Sequence, residues 1–182
     1  MIYFKEGKLL VESGQVRAYE YNKELFLEIG QGHTLWTLES ELAEYKKQLK
    51  DKPFGNVLEI GLGLGVASRF LLSLSKVETL TTIELNMDVI KVHKEISKIR
   101  KGSKKQHIII NDSGLHHVCT TENKYDFIFL DFYEIIDEET LPLIADIVNN
   151  SKRILNVNGK IMGWFDPFTP DEFVEEFYEL FR

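Results

Sequence analysis

From Asn56 onward short apolar runs alternate with amphipathic stretches, and this alternation restricts the fold more than any other feature of the sequence. Strands reached through intervening helices run parallel, and the helices must then cover the sheet they connect. The apolar runs fall at Val57 to Ile60, Thr79 to Glu84, His107 to Ile110, Phe127 to Leu130 and Lys160 to Phe165. Helices are predicted to start near Val66, Asn86, Ser113 and Glu138. Val89, Val92, His93, Ile96 and Ile99 share one face of the second helix, which puts His93 at the edge of the core. Right-handed crossovers then give an α/β, Rossmann-like, doubly wound and mostly parallel sheet of strand order 3-2-1-4-5. Its ligand crevice is expected at the carboxyl ends of strands one and four.

The first 30 residues follow a different period. Lys8 to Glu12, Gln15 to Tyr19 and Glu24 to Ile29 alternate apolar and polar positions, with Ser13-Gly14 and Asn22-Lys23 as turn signals, so an antiparallel β-meander is predicted. Leu38, Leu42, Tyr45 and Leu49 then recur at helical spacing until Asp51-Lys52-Pro53-Phe54-Gly55 breaks the pattern. The expected organisation is an extension over residues 1–55 and a ligand-binding core over 56–182, forming one compact unit. The length suits a single domain. After strand five, Asp166 to Pro170 leads into a last helix carrying Phe173, Val174, Phe177, Tyr178 and Phe181.

Charge and composition narrow the ligands. A net charge of −7 argues against nucleic acid, whose phosphates require clustered cations. The basic stretch Lys98 to Lys105 reads as a helix end complementing its own dipole. No apolar run reaches the roughly 20 residues that cross a bilayer, and the first residues do not form a signal peptide. No membrane partner and a cytoplasmic location are therefore expected. Cys119 is the only cysteine, which excludes an internal disulfide and a cysteine-based zinc cage, and no metal-ligand pattern is visible.

The chemistry concentrates at strand ends. Gly61, Gly63 and Gly65 form a G-x-G-x-G turn after the first strand, where the backbone can approach a nucleotide-like ligand and the next helix offers unpaired N–H groups. A pyrophosphate-binding turn would instead read G-x-G-x-x-G. Glu59, two residues before the turn, would repel phosphates and suit a ligand bearing an amino group and a sulfonium. Glu84, ending strand two, either accepts from ribose hydroxyls or complements the next helix. Asp112, ending strand three, either accepts from an adenine amino group or caps a helix. Asp131 leaves the buried strand Phe127 to Leu130 and should point into the crevice, because a carboxylate buried without a partner costs several kcal/mol. Asp137, Glu138 and Glu139 read as the start of the fourth helix.

Taken together, Val57 to Gly65, Ile83-Glu84, Asn111-Asp112 and Asp126 to Asp131 resemble the successive motifs of the class I S-adenosylmethionine-dependent methyltransferases. That resemblance implies S-adenosylmethionine as the bound donor and covers about two thirds of the chain. Within the superfamily, Leu130-Asp131-Phe132-Tyr133 with Glu138-Glu139-Thr140, and Trp36 with Glu39, resemble elements of the guanidinoacetate N-methyltransferases. In that branch the carboxylates matching Glu39 and Asp131 hold the guanidino group. The N-terminal meander resembles the spermidine synthases, which transfer an aminopropyl group. Their strand-four carboxylate is followed by Ser-x-Asp-Pro, whereas Phe132-Tyr133-Glu134 stands here.

The expected function is accordingly N-methylation of a small cationic guanidino or amino substrate by in-line transfer. Asp131 would act as base with Glu39 assisting, and Trp36, Phe132 and Tyr133 would serve either as substrate-binding walls or as core. Two alternatives stand beside it: an aminopropyltransferase, and a non-catalytic interaction subunit. The methyltransferase sheet usually adds two strands after its last helix. Their absence leaves strand five as an exposed edge, from which a homodimer is expected.

Overall fold

The structure is a computed structural model, and it describes residues 7–30, 33–35, 38–50, 52–99 and 105–182. Strands β1 (Lys8–Ser13), β2 (Val16–Tyr21), β3 (Glu24–Ile29) and β4 (His33–Leu35) form an antiparallel sheet in that order. Its second turn follows from local chemistry: Asn22 and Lys23 both take positive φ, 51° and 69°, as a tight two-residue hairpin between right-twisted strands requires. The short β4 extends the three-run meander legible in the sequence by one strand.

Helix α1 (Leu38–Leu49) has the predicted bounds. It ends where Lys50 adopts φ 46°, ahead of Pro53, which cannot continue a helix.

The larger sheet follows as β5 (Gly55–Ile60), α2 (Val66–Ser73), β6 (Val77–Glu84), α3 (Met87–Ile99), β7 (Gln106–Asn111), α4 (Gly114–Thr120), β8 (Tyr125–Leu130), α5 (Thr140–Ser151), β9 (Leu155–Gly163) and α6 (Asp171–Glu179). All its ladders are parallel and its order is β7-β6-β5-β8-β9, the predicted 3-2-1-4-5 arrangement. The fold is thus the α/β, Rossmann-like one expected, with a separate antiparallel sheet at its N-terminal side.

One strand is displaced from its predicted bounds. β9 starts at Leu155 and ends at Gly163, rather than spanning Lys160 to Phe165. Leu155 already pairs with Tyr125, and the register then shifts across Asn156 to Gly159, where Asn158 takes φ 66°. A polar, turn-like stretch inside a strand hides its first residues from a reading based on apolar runs.

The period of two in each central strand divides the core. Val57, Leu80, Phe127 and Phe129 face α2, α3 and the meander, while Leu58, Ile60, Ile128 and Leu130 face the α5 side. The meander is fastened to this frame by packing of β1 and β2 on α3, and by the Ser13 hydroxyl donating to Asp88 Oδ1 at 2.8 Å. Helix α1 packs on β3 and α2, and its Gln48 side chain bonds both ways with the Phe165 backbone, at 2.9 and 3.0 Å. That double bond ties α1 to the segment beyond β9 and so fixes it over the carboxyl ends of the strands. Among the described residues no helix is long and apolar enough to cross a membrane.

Candidate functional site

Sheet-like bonds continue one residue past the strands and set three positions side by side. Gly61 N–H donates to Ile83 O, Asp131 N–H to Ile60 O and Trp164 N–H to Leu130 O, at 2.9, 2.8 and 2.8 Å. This row forms the floor of a cavity of about 600 Å³, within the size range of small-molecule sites. It lies where strand order reverses on either side of β5, the switch point at which open α/β sheets bind ligands.

The glycine turn is shaped by what surrounds it. Gly61 has φ 102°, and a Cβ there would stand 2.1 Å from the Asp131 carbonyl oxygen. Gly65 has φ 72°, and its Cβ would meet the His93 ring at 2.2 Å. Only glycine meets both demands, a left-handed backbone and a close neighbour. His93 is buried at the core edge, as its helical face predicts, and burial holds its pKa below the usual value.

Glu84 and Asp131 line the cavity, as do Gly61, Gly63 and Tyr133. Glu84 accepts from Leu62 N–H through Oε2 at 3.0 Å and from Asn86 N–H through Oε1 at 2.8 Å, so its carboxylate is fixed beside the glycine turn. Tyr133 is buried with its hydroxyl donating to the Trp164 carbonyl at 2.7 Å, and its ring meets Phe132 edge-on at 5.0 Å. Asp131 is half-buried and accepts from the Tyr45 hydroxyl through Oδ2 at 2.7 Å. Desolvation pushes its carboxyl up to about 7, against the opposing pull of the Tyr45 bond.

Other predicted residues stand elsewhere. Glu59 is fully buried on the α2 face of the sheet, with Oε2 accepting from Ser68 and Thr82 hydroxyls at 2.5 Å each. It does not line the cavity, and burial pushes its carboxyl up to about 8. The side chain on a central strand alternates faces, and position 59 falls beneath the glycine turn rather than at its mouth. Asp112 accepts from the Ser113 N–H and lies 2.9 Å from His116 Nδ1; Ser113, Gly114 and Leu115 line the cavity instead. Burial opposes ionisation of Asp112, yet the His116 and Ser113 bonds hold its carboxyl below the usual range. Asp137 accepts from Glu139 and Thr140 N–H groups at the start of α5, as the charge pattern predicts. Trp36 and the Glu39 side chain lie outside the described residues.

Two cavity residues escape a reading of the sequence alone. Glu41, on α1, lines the cavity with a carboxyl pushed up to about 8 by burial and by the nearby Asp131. Tyr45, one turn later, is 5% exposed and looks like one more member of an apolar stripe. The available signal was the i, i+4, i+7 series Glu41, Tyr45 and Gln48, a polar stripe beside the apolar one. Among the described residues no group of three or more His, Cys, Asp and Glu is arranged to hold a metal ion.

The cavity's charge is one-sided. Its described lining includes six carboxylates, those of Glu41, Glu44, Glu84, Asp131, Glu134 and Asp166, and no Lys, Arg or His. Such a lining favours ligands that carry positive charge.

Comparison with known proteins decides the family. A model of the spermine/spermidine synthase domain matches residues 41–163, more than half of the chain. The chain belongs to the spermine/spermidine synthase domain family. Among curated proteins it is 28% identical over 162 residues to a polyamine aminopropyltransferase of Saccharolobus islandicus, covering 86% of this chain and 50% of that protein. It is 30% identical over 167 residues to the polyamine aminopropyltransferase of Methanocaldococcus jannaschii, covering 87% and 55%. The chain thus spans about half the length of these relatives. The solved spermidine synthase of Thermotoga maritima shares the fold, with a TM-score of 0.69 at 19% identity over 95% of this chain and 61% of that one.

These findings correct the function expected from the sequence. Methyl transfer, and S-adenosylmethionine as its donor, give way, because the family model and the curated relatives are those of aminopropyltransferases. The broader resemblance stands, since spermidine synthase-like and methyltransferase structures share this Rossmann-like fold. What misled was the G-x-G-x-G turn with its flanking Glu59 and Glu84, because a glycine turn after the first strand points to a nucleotide-like ligand and says nothing of the group transferred.

Proposed function

We propose that this protein is an aminopropyltransferase that takes decarboxylated adenosylmethionine as donor and a small polyamine-type amine as acceptor. The observation that carries the reading is that, among the described residues, the lining holds acids and no cation. A methionine carboxylate would enter that field unpaired and against repulsion, whereas the decarboxylated donor presents only its sulfonium and terminal ammonium. A polyamine acceptor is likewise cationic throughout.

In this reading the glycine turn and Glu84 take the adenosyl part, with Glu84 accepting from ribose hydroxyls. The acceptor nitrogen attacks the carbon next to sulfur. A new N–C bond forms, the C–S bond breaks, and its electron pair neutralises the sulfonium to give a thioether. An amine at neutral pH is mostly protonated, so a base must take its proton first. Asp131, held up to about 7, is suited to that exchange, and Glu41, pushed up to about 8 by burial and by Asp131, ionises more readily once an acceptor's cation stands beside it. The leaving group is already activated, so alignment supplies most of the acceleration.

Isothermal titration tests the charge argument: decarboxylated adenosylmethionine is expected to bind at least ten times more tightly than adenosylmethionine. Equal affinity, or preference for the carboxylated form, would overturn the proposal.

A further inference from the structure

We propose that Tyr45 is a positioning residue that holds Oδ2 of Asp131 in a hydrogen bond and so reserves Oδ1 as the atom that receives the acceptor's proton. The inference rests on the aminopropyl-transfer reading and adds a residue whose apolar-stripe position gave it no functional look. The Tyr45 hydroxyl lies 2.7 Å from Oδ2, and its ring is fixed by the Phe129 edge at 6.0 Å and Trp164 at 4.9 Å. The helix carrying it is itself locked by Gln48 to the Phe165 backbone. A buried phenol on a fixed helix is a donor that does not wander, so one carboxylate oxygen is spoken for and the other keeps its lone pairs.

The groups facing Asp131 sharpen the role. Glu41 from α1, Glu59 from β5 and Tyr133 beyond β8 act on it as two acids and a second phenol, Glu84 at the end of β6 lines the same cavity, and no cation stands among the described cavity residues. Each negative neighbour disfavours the carboxylate, and so does burial. The Tyr45 bond acts the other way, keeping a base available near neutral pH. In the reaction the amine's N–H bond breaks, the proton moves to Oδ1, and the freed lone pair attacks carbon.

The test is a pH titration by ¹³C NMR of protein labelled at aspartate carboxyls, with the Asp131 resonance assigned through Asp131→Asn. Tyr45→Phe is expected to raise the Asp131 midpoint by roughly one pH unit, as loss of a bond to the charged form does. The same shift should appear in the acid limb of kcat, with the donor KM unchanged. Replacing Tyr45 by 3-fluorotyrosine keeps the packing and gives a more acidic donor, so the midpoint is expected to fall. A midpoint that stays put in either protein, or that moves against the direction expected for it, would overturn the inference. A wild-type protein that transfers no aminopropyl group would defeat the functional reading instead, and the titration would still decide whether Tyr45 sets the proton affinity of Asp131.

Discussion

The two halves of the cavity are built from different material. On the glycine-turn side the walls are backbone and one fixed carboxylate, all supplied by Gly61 to Gly65 and the end of β6. On the opposite side they are side chains from remote elements: Glu41 and Tyr45 on α1, Asp131 after β8 and Trp164 after β9. The first half is fixed by local geometry and is the side proposed for the adenosyl part of the donor. The second half depends on how α1 is seated, and it is there that the proposed proton transfer is placed.

Changes on the two sides should therefore fail differently. Asp131→Asn removes the proposed base and is expected to lower kcat by about 10² to 10⁴-fold, the usual worth of general-base catalysis, with donor affinity in calorimetry little changed. A matching loss of donor affinity would blur the division between halves. Gly61→Ala forces a Cβ against the Asp131 carbonyl at a φ that disfavours side chains, so a stability loss of about 3 kcal/mol in chemical denaturation is expected, together with failure of both halves. Glu84→Gln should weaken the donor about tenfold while leaving the acceptor KM alone, since it removes a charged acceptor from the ribose side only.

The smallest effect concerns a carboxylate outside both halves. Glu59 has a folded-state pKa raised from 4.5 to about 8. The folded protein therefore binds more protons than the unfolded chain across that window, and stability falls as pH rises through it. Glu59→Gln is expected to be near neutral at pH 5 and to gain steadily on the wild type as the pH rises towards 8, because the amide cannot ionise. Parallel stability profiles for the two proteins would show that Glu59 is not the group responsible.

The same division explains what could be read from the sequence. Strand order, helix starts and the glycine turn were legible because they rest on local periodicity and spacing; Glu84 and Asp131 were legible because strand ends in this fold point to one crevice. Glu59 was misplaced by counting residues without asking which sheet face position 59 occupies. Glu41 and Tyr45 were missed because their role depends on α1 crossing to Asp131, 86 residues from Tyr45 along the chain. The group transferred was misjudged for a related reason. Local motifs report the glycine-turn half, whereas the acidic lining, without a cation among the described residues, is visible only when remote residues are brought together.

Product analysis tests the central claim most directly. The purified protein is incubated with a linear diamine and either decarboxylated adenosylmethionine or adenosylmethionine, and the acceptor is examined by mass spectrometry. The expected result is an aminopropylated diamine together with methylthioadenosine, formed from the decarboxylated donor alone. A methylated diamine, or no aminopropylated product from the decarboxylated donor, would contradict the account.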